Sequence, residues 1–143
     1  MSDLATLIAS LMRDIHYNLI RKTRPELHER GLTPPRFHAL AHVANHGPIN
    51  MSEIRQRLHV SKSTATAVVD GLVNEGLLRR HRPDEDRRCV IIEVTDAGRR
   101  VMEETRQKQA AYLRSALSDA SPEEQEALIE TLQKMKARLE RRE

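Results

Sequence analysis

The chain of 143 residues holds a single cysteine, Cys89, which excludes an intrachain disulfide and suits a reducing compartment. Tryptophan is absent, and one phenylalanine and two tyrosines make up the whole aromatic complement. No apolar run approaches the roughly 20 residues of a membrane span. Met1, Ser2 and Asp3 lack the basic-then-apolar opening of a signal peptide, so a cytoplasmic protein with no membrane contact is expected. The sequence has no Gly-rich phosphate loop, no nucleophile elbow and no paired-cysteine metal motif; neither an enzyme nor a cofactor is expected. Charge of one sign is also missing, because 24 basic and 21 acidic residues leave a net charge of only +3. Any basic character must therefore be local. Internal repeats and low-complexity linkers are absent as well. The length and a hydrophobic content of 38% fit one domain with helical extensions and a core shared across a dimer.

What is present is concentrated between Gly47 and Gly98. Asn50 stands three residues before Glu53, a capping-box spacing, and Met51, Ile54 and Leu58 then recur at helical intervals. His59 to Ser61 is long enough only for a turn, and Ser61 is placed to cap a second helix. Two helices joined so tightly cross steeply. In the second, Ala65, Val68, Val69, Leu72 and Val73 form the apolar face, leaving Lys62, Ser63, Thr66, Ala67 and Asp70 outward. Gly76 has the type and position of a helix C-cap. Leu77 to Arg80 then reads as a first strand and Cys89 to Val94 as a β-branched return strand. Five arginines and three acids fall between Arg79 and Arg88. This is the pattern of a winged helix-turn-helix: small polar residues at the start of a recognition helix face major-groove base edges, Lys62 meets phosphate, and a hairpin arginine enters the minor groove. Asp86 is suited to pair with an arginine, Arg80 or Arg88.

These residues resemble the MarR (multiple antibiotic resistance regulator) family of bacterial transcription factors. The resemblance rests on Gly31-Leu32-Thr33 leading into a helix, Ser61-Lys62-Ser63-Thr64 with Thr66, Gly76-Leu77, Asp86-Arg87-Arg88, and Thr95-Asp96-Ala97-Gly98. In this order they cover nearly the whole chain. The resemblance implies a homodimer on double-stranded DNA with a pseudopalindromic operator, a repressor more than an activator, and release by a small organic effector or by oxidation. It also implies Arg88 as the wing-tip arginine, with Asp86 orienting it. Candidate DNA-binding residues are thus Ser61, Lys62, Ser63, Thr64, Thr66, Arg82, Arg87 and Arg88, with Arg80 and Asp86 orienting the wing. The family often carries basic residues where this chain has Ala67 and Gly71, so affinity is expected to lean on the wing and Lys62. The competing possibility is a winged-helix module that binds protein and has lost DNA affinity.

The flanks carry partner-helix periodicity. Leu4, Leu7, Leu11, Ile15 and Leu19 share a stripe widened by Ile8 and Met12. Leu128, Leu132, Met135 and Leu139 repeat on a helix announced by Ser121, Pro122 and Glu124. Between the flanks, a helix from about Asp96 to Leu117 and another from Thr33-Pro34-Pro35 through His46 are expected. The expected fold is mainly α with a small β-hairpin: an N-terminal dimerisation helix in 1–32, the winged helix-turn-helix in 33–95, and C-terminal dimerisation helices in 96–143. The resemblance places an effector crevice between dimer helices and DNA-binding domain, with Ile15, His16, Leu19, Phe37, His38, Ala41, Met102 and Arg106 as candidate lining. So few aromatics argue against an aromatic-rich pocket. His38 and His42 stand one helical turn apart, a spacing that can hold zinc. In zinc-sensing relatives, histidines on the long following helix complete the site. Here Glu103, Glu104 and Arg106 stand there, so no metal site is expected. Peroxide-sensing relatives carry their cysteine near the N-terminus, unlike Cys89.

Overall fold

The computed structural model describes residues 3–141. Met1, Ser2, Arg142 and Glu143, which belong to the outer segments of the expected division, lie outside the described residues. Asp3 caps α1 (Leu4–Glu29) by accepting from the Ala5 N–H at 3.4 Å. Two prolines open α2 (Pro34–His46), where their missing N–H groups fall among donors that a helix start leaves unpaired. The two-residue β1 (Ile49–Asn50) runs directly into α3 (Met51–Leu58), and the Asn50 carboxamide accepts from the Glu53 N–H at 3.0 Å. His59 ends α3 in the left-handed region at φ 53°, allowing a sharp turn into α4 (Lys62–Asn74). Ser61 caps α4 by accepting from the Thr64 N–H at 3.2 Å.

α4 stops in a Schellman closure. Gly76, just beyond the cap, has φ +72°, its N–H bonds the Val73 carbonyl at 3.0 Å, and the Leu77 N–H bonds the Leu72 carbonyl at 2.9 Å. β2 (Leu78–His81) and β3 (Ile91–Val94) then pair antiparallel, Leu78 opposite Val94 and His81 opposite Ile91. Two expectations need correction here. The hairpin is part of a three-stranded sheet in the order β1-β3-β2, with Ile49 opposite Ile92. Strand pairing also begins later than Cys89, because Asp86 organises the tip. The Asp86 carboxylate accepts from the Arg88 N–H at 3.0 Å and its carbonyl from the Cys89 N–H at 3.2 Å, which prolongs the turn.

The described chain packs as two compact units, one ending at Lys108 and one beginning at Gln109. In the first, Leu40, Val43, Ile54, Val69, Leu72, Leu78 and Ile92 are fully buried, so every element of the helix-turn-helix and wing contributes to one core. Each such side chain contributes roughly 1.5–3 kcal/mol by leaving water. Leu27 from the last turn of α1, Leu32 from the connection to α2, and Val101 and Met102 from α5 (Asp96–Ala116) join that core. By contrast Leu4, Leu7, Ile8, Leu11, Met12 and Ile15 on α1 are exposed, Leu4 by 75%. In the second unit α6 (Pro122–Glu140) starts with a complete Ser121–Glu124 capping box and has no buried residue; Leu128, Ile129, Leu132 and Leu139 remain exposed.

Candidate nucleic-acid interface

The hydroxyl-rich start of α4 forms a small network. Ser61 Oγ lies 3.1 Å from Ser63 Oγ and 3.0 Å from Thr64 Oγ1, while the Thr66 hydroxyl donates to the Lys62 carbonyl at 2.9 Å. Ser61 is thus the helix cap as well as a candidate contact, and Thr66 keeps its lone pairs for an incoming donor. Lys62, Ser63 and Thr64 are exposed, and Thr66 is half-buried. Ser61, Lys62, Ser63, Thr66, Ala67 and Asp70 together form the open face of α4.

An open cleft of about 740 Å³ runs from this face to the wing, and it brings Lys62 and Thr66 together with Arg80, Arg82 and Arg88. Thr64 and Arg87 do not line it. The cleft also includes Asn50, which the sequence marks only as a helix cap, and Ser52 and His81, which it does not single out but which lie directly beside the Asn50 cap and the arginine run. At the tip, Arg82 donates to the Arg87 carbonyl at 2.7 Å, bracing the loop from within. Arg87 lies 3.8 Å from Asp84. The Arg88 side chain is 98% exposed, with its Nε 3.9 Å from the Asp86 carboxylate that also holds its backbone. Cys89 is exposed, its Sγ 3.6 Å from the same carboxylate.

Arg80 is not a partner of Asp86. Its guanidinium donates to Asp70 on α4, because β2 leaves the helix end at Gly76 and runs back alongside it. On the same strand Arg79 pairs with Glu93 at 2.8 Å. Gly71 also differs from expectation. It is buried, and a Cβ built on it would fall 2.5 Å from the Arg36 guanidinium, which donates to the Gly31 carbonyl at 3.0 Å. A side chain here must therefore displace the Arg36 guanidinium, and the position is no part of the open face. Ala67 does lie on that face.

A second cavity, about 300 Å³, is lined by His16 and Ile20 of α1, by one face of α2 that carries Phe37, His38, Ala41, His42, Asn45 and His46, and by Arg57 and Leu58 of α3. Of the expected effector residues it gathers His16, Phe37, His38 and Ala41. Ile15 and Leu19 do not line it, and Ile15 is exposed on α1. Met102 is buried in the core and Arg106 donates to the side chain of Asn45 at 2.6 Å; neither lines the cavity. The lining residues that sequence reasoning missed include His42, Asn45, His46 and Arg57; the four-residue spacing of His38, His42 and His46 was the available signal. His42 and His46 stack with ring centroids 4.4 Å apart, and the His42 Nδ1 is buried without a protein hydrogen-bond partner. Burial, then the neighbouring His46 and Arg57, push the His42 pKa below the ordinary histidine value, against a smaller opposing pull from Glu53. His38, also on the cavity wall, is exposed and edge-on to Phe37. Among the described residues no group of three His, Cys, Asp or Glu side chains gathers as a metal site.

A pair of packed helices joined by a short turn, the second beside an arginine-bearing β-hairpin, defines a winged helix-turn-helix protein. The family model described as "MarR family" matches residues 32–90. The HTH-type transcriptional repressor MdtR of Bacillus subtilis is 33% identical over 121 residues, covering 80% of this chain and 78% of that protein. A transcriptional regulator from Thermotoga maritima superposes with a TM-score of 0.79 at 27% identity, covering 94% of this chain and 95% of that one. A MarR family protein from Bacillus stearothermophilus gives 0.78 at 28% identity, covering 94% of each chain. The chain belongs to the MarR family of transcriptional regulators. Among the described residues, no helix is long and apolar enough to cross a membrane.

Proposed function

We propose that this regulator is a cytoplasmic homodimeric repressor without enzymatic activity. The start of α4 reads the major groove of a pseudopalindromic operator, and Arg88 enters the adjacent minor groove. The observation that carries the reading is the cleft shared by α4 and the wing, where Lys62, Thr66, Arg82 and Arg88 converge. Ser61, Ser63, Thr64 and Arg87 flank that cleft as further backbone or base contacts. Residues 33–95 act as the DNA-binding part, and 1–32 and 96–143 as dimerisation parts, because α1 and α6 each carry an uncovered apolar stripe that a two-fold partner would bury. Such a dimer presents two recognition helices roughly 34 Å apart, one turn of DNA. A small organic effector in the α1–α2–α3 cavity would act by changing that separation. A coupling of about 1–3 kcal/mol is enough to switch occupancy.

The test is binding to duplex DNA from the region upstream of the protein's own gene. Affinity is expected to fall steeply with salt, and Arg88→Ala to reduce both the affinity and the salt slope. No binding to any such fragment at low salt would refute the reading.

A further inference from the structure

We propose that Asp70 governs how strongly this protein distinguishes its operator from bulk DNA, by holding the Arg80 guanidinium away from phosphate; this rests on the DNA-binding reading above. Asp70 is an acid on the open face of α4, among Lys62, Ser63 and Thr66. A carboxylate on a surface that meets a polyanion repels it unless it is matched by a cation. Arg80 supplies the match from β2, and the two side chains remain 44% and 43% exposed, so both heads stand at the surface that faces DNA.

Two consequences follow from this geometry. Arg80 lines the cleft with Lys62, Arg82 and Arg88, but a phosphate close enough to accept from it also meets the Asp70 carboxylate. The pair therefore adds no net cation to the sequence-independent attraction that dominates binding to bulk DNA. The same pair ties the recognition helix to the first wing strand, and so holds major-groove and minor-groove elements at one offset, the geometric condition for base readout. Asp70 thus lowers non-specific affinity while preserving the specific arrangement, and is a specificity-determining residue.

The experiment compares the full-length wild type with Asp70→Asn, Arg80→Gln, the double variant and Asp70→Glu, each checked for folding by circular dichroism. Affinities for an upstream-region duplex and for a random-sequence duplex are measured between 50 and 200 mM salt. Asp70→Asn is expected to tighten random-duplex binding, to lower the ratio of upstream to random affinity, and to steepen the salt slope by about 0.9. That slope is an extra loss of about 3.5-fold across the salt range. The double variant keeps the wild-type slope, since the pair as a whole adds no net cation, whereas Arg80→Gln alone leaves Asp70 unmatched and weakens binding to both duplexes. Asp70→Glu keeps the pair and behaves as wild type. The proposal is overturned if the double variant flattens the slope as Arg88→Ala does, or if Asp70→Asn leaves slope and ratio unchanged. A wild type that binds neither duplex overturns the DNA-binding reading and the proposal together, and is distinguished by the silence of every variant at low salt.

Discussion

Gly71→Ala in α4 opposes two terms of known sign. Alanine is better than glycine in a helix interior by about 1 kcal/mol. The new Cβ, however, would lie 2.5 Å from the Arg36 guanidinium, about 1 Å inside ordinary contact distance. Arg36 must then swing out and release the Gly31 carbonyl, a charge-assisted bond of 3.0 Å worth about 1.5–3 kcal/mol, at the lower end because the side chain is only half-buried. The net expectation is a destabilisation of about 0.5 kcal/mol. With Arg36→Ala already in place nothing obstructs the Cβ, and the same substitution should stabilise by about 1 kcal/mol. The coupling between the two sites is therefore about 1.5 kcal/mol. Urea unfolding of the four proteins at one fixed concentration measures it as a double-mutant cycle. Equal stabilisation by Gly71→Ala in both backgrounds would refute the idea that Arg36 occupies the space a side chain at 71 would need.

Thr95 joins two ends: its hydroxyl donates to the Gly76 carbonyl at 2.6 Å and accepts from the Gly98 N–H at 3.1 Å. Thr95→Ala should cost about 1–2 kcal/mol in thermal or urea unfolding, and a change below about 0.3 would contradict that role. His42 titrates below the ordinary value near 6.5, so the unfolded chain binds more protons than the folded one in the interval beneath it. The stability that neutral His42 contributes is full above about pH 6.5 and is lost as pH falls toward the folded pKa. His42→Gln should make the melting temperature less pH-dependent across that interval, and an unaltered profile would contradict the assignment. Leu11 is 52% exposed in the middle of the α1 stripe. Leu11→Lys should convert a dimer to monomer in sedimentation analysis, and an intact dimer would remove α1 from the interface.

Much of this molecule was legible because the relevant relations are short in sequence. The caps at Asn50, Ser61 and Ser121 each bond three residues ahead, so the residue types alone mark the helix starts. Gly76 marked the end of α4 for the same reason, since a left-handed residue is needed there. β1 was not legible: two residues carry no period. The return strand of the wing was placed too close to the tip because the hold of Asp86 on Arg88 and Cys89 depends on a side-chain turn that alternation does not reveal. In the site, Lys62, Thr66, Arg82 and Arg88 were legible from their order on the helix and hairpin. Asn50, Ser52 and His81 entered the cleft only through packing of α3 and β2 beside α4.

The sequence by itself determined the order of the helices and the hairpin, the caps at Asn50, Ser61 and Ser121, the apolar face of each helix and hence the winged helix-turn-helix class, because periodicity and capping act within about four residues. Only the tertiary structure decided that Arg80 meets Asp70, that Arg36 closes the space at Gly71, and that Met102 is core while His42 and Arg57 line the cavity. Such pairings depend on the crossing and phase of helices and the register of strands. Those are set by how the buried faces of distant segments interlock, which no local pattern encodes.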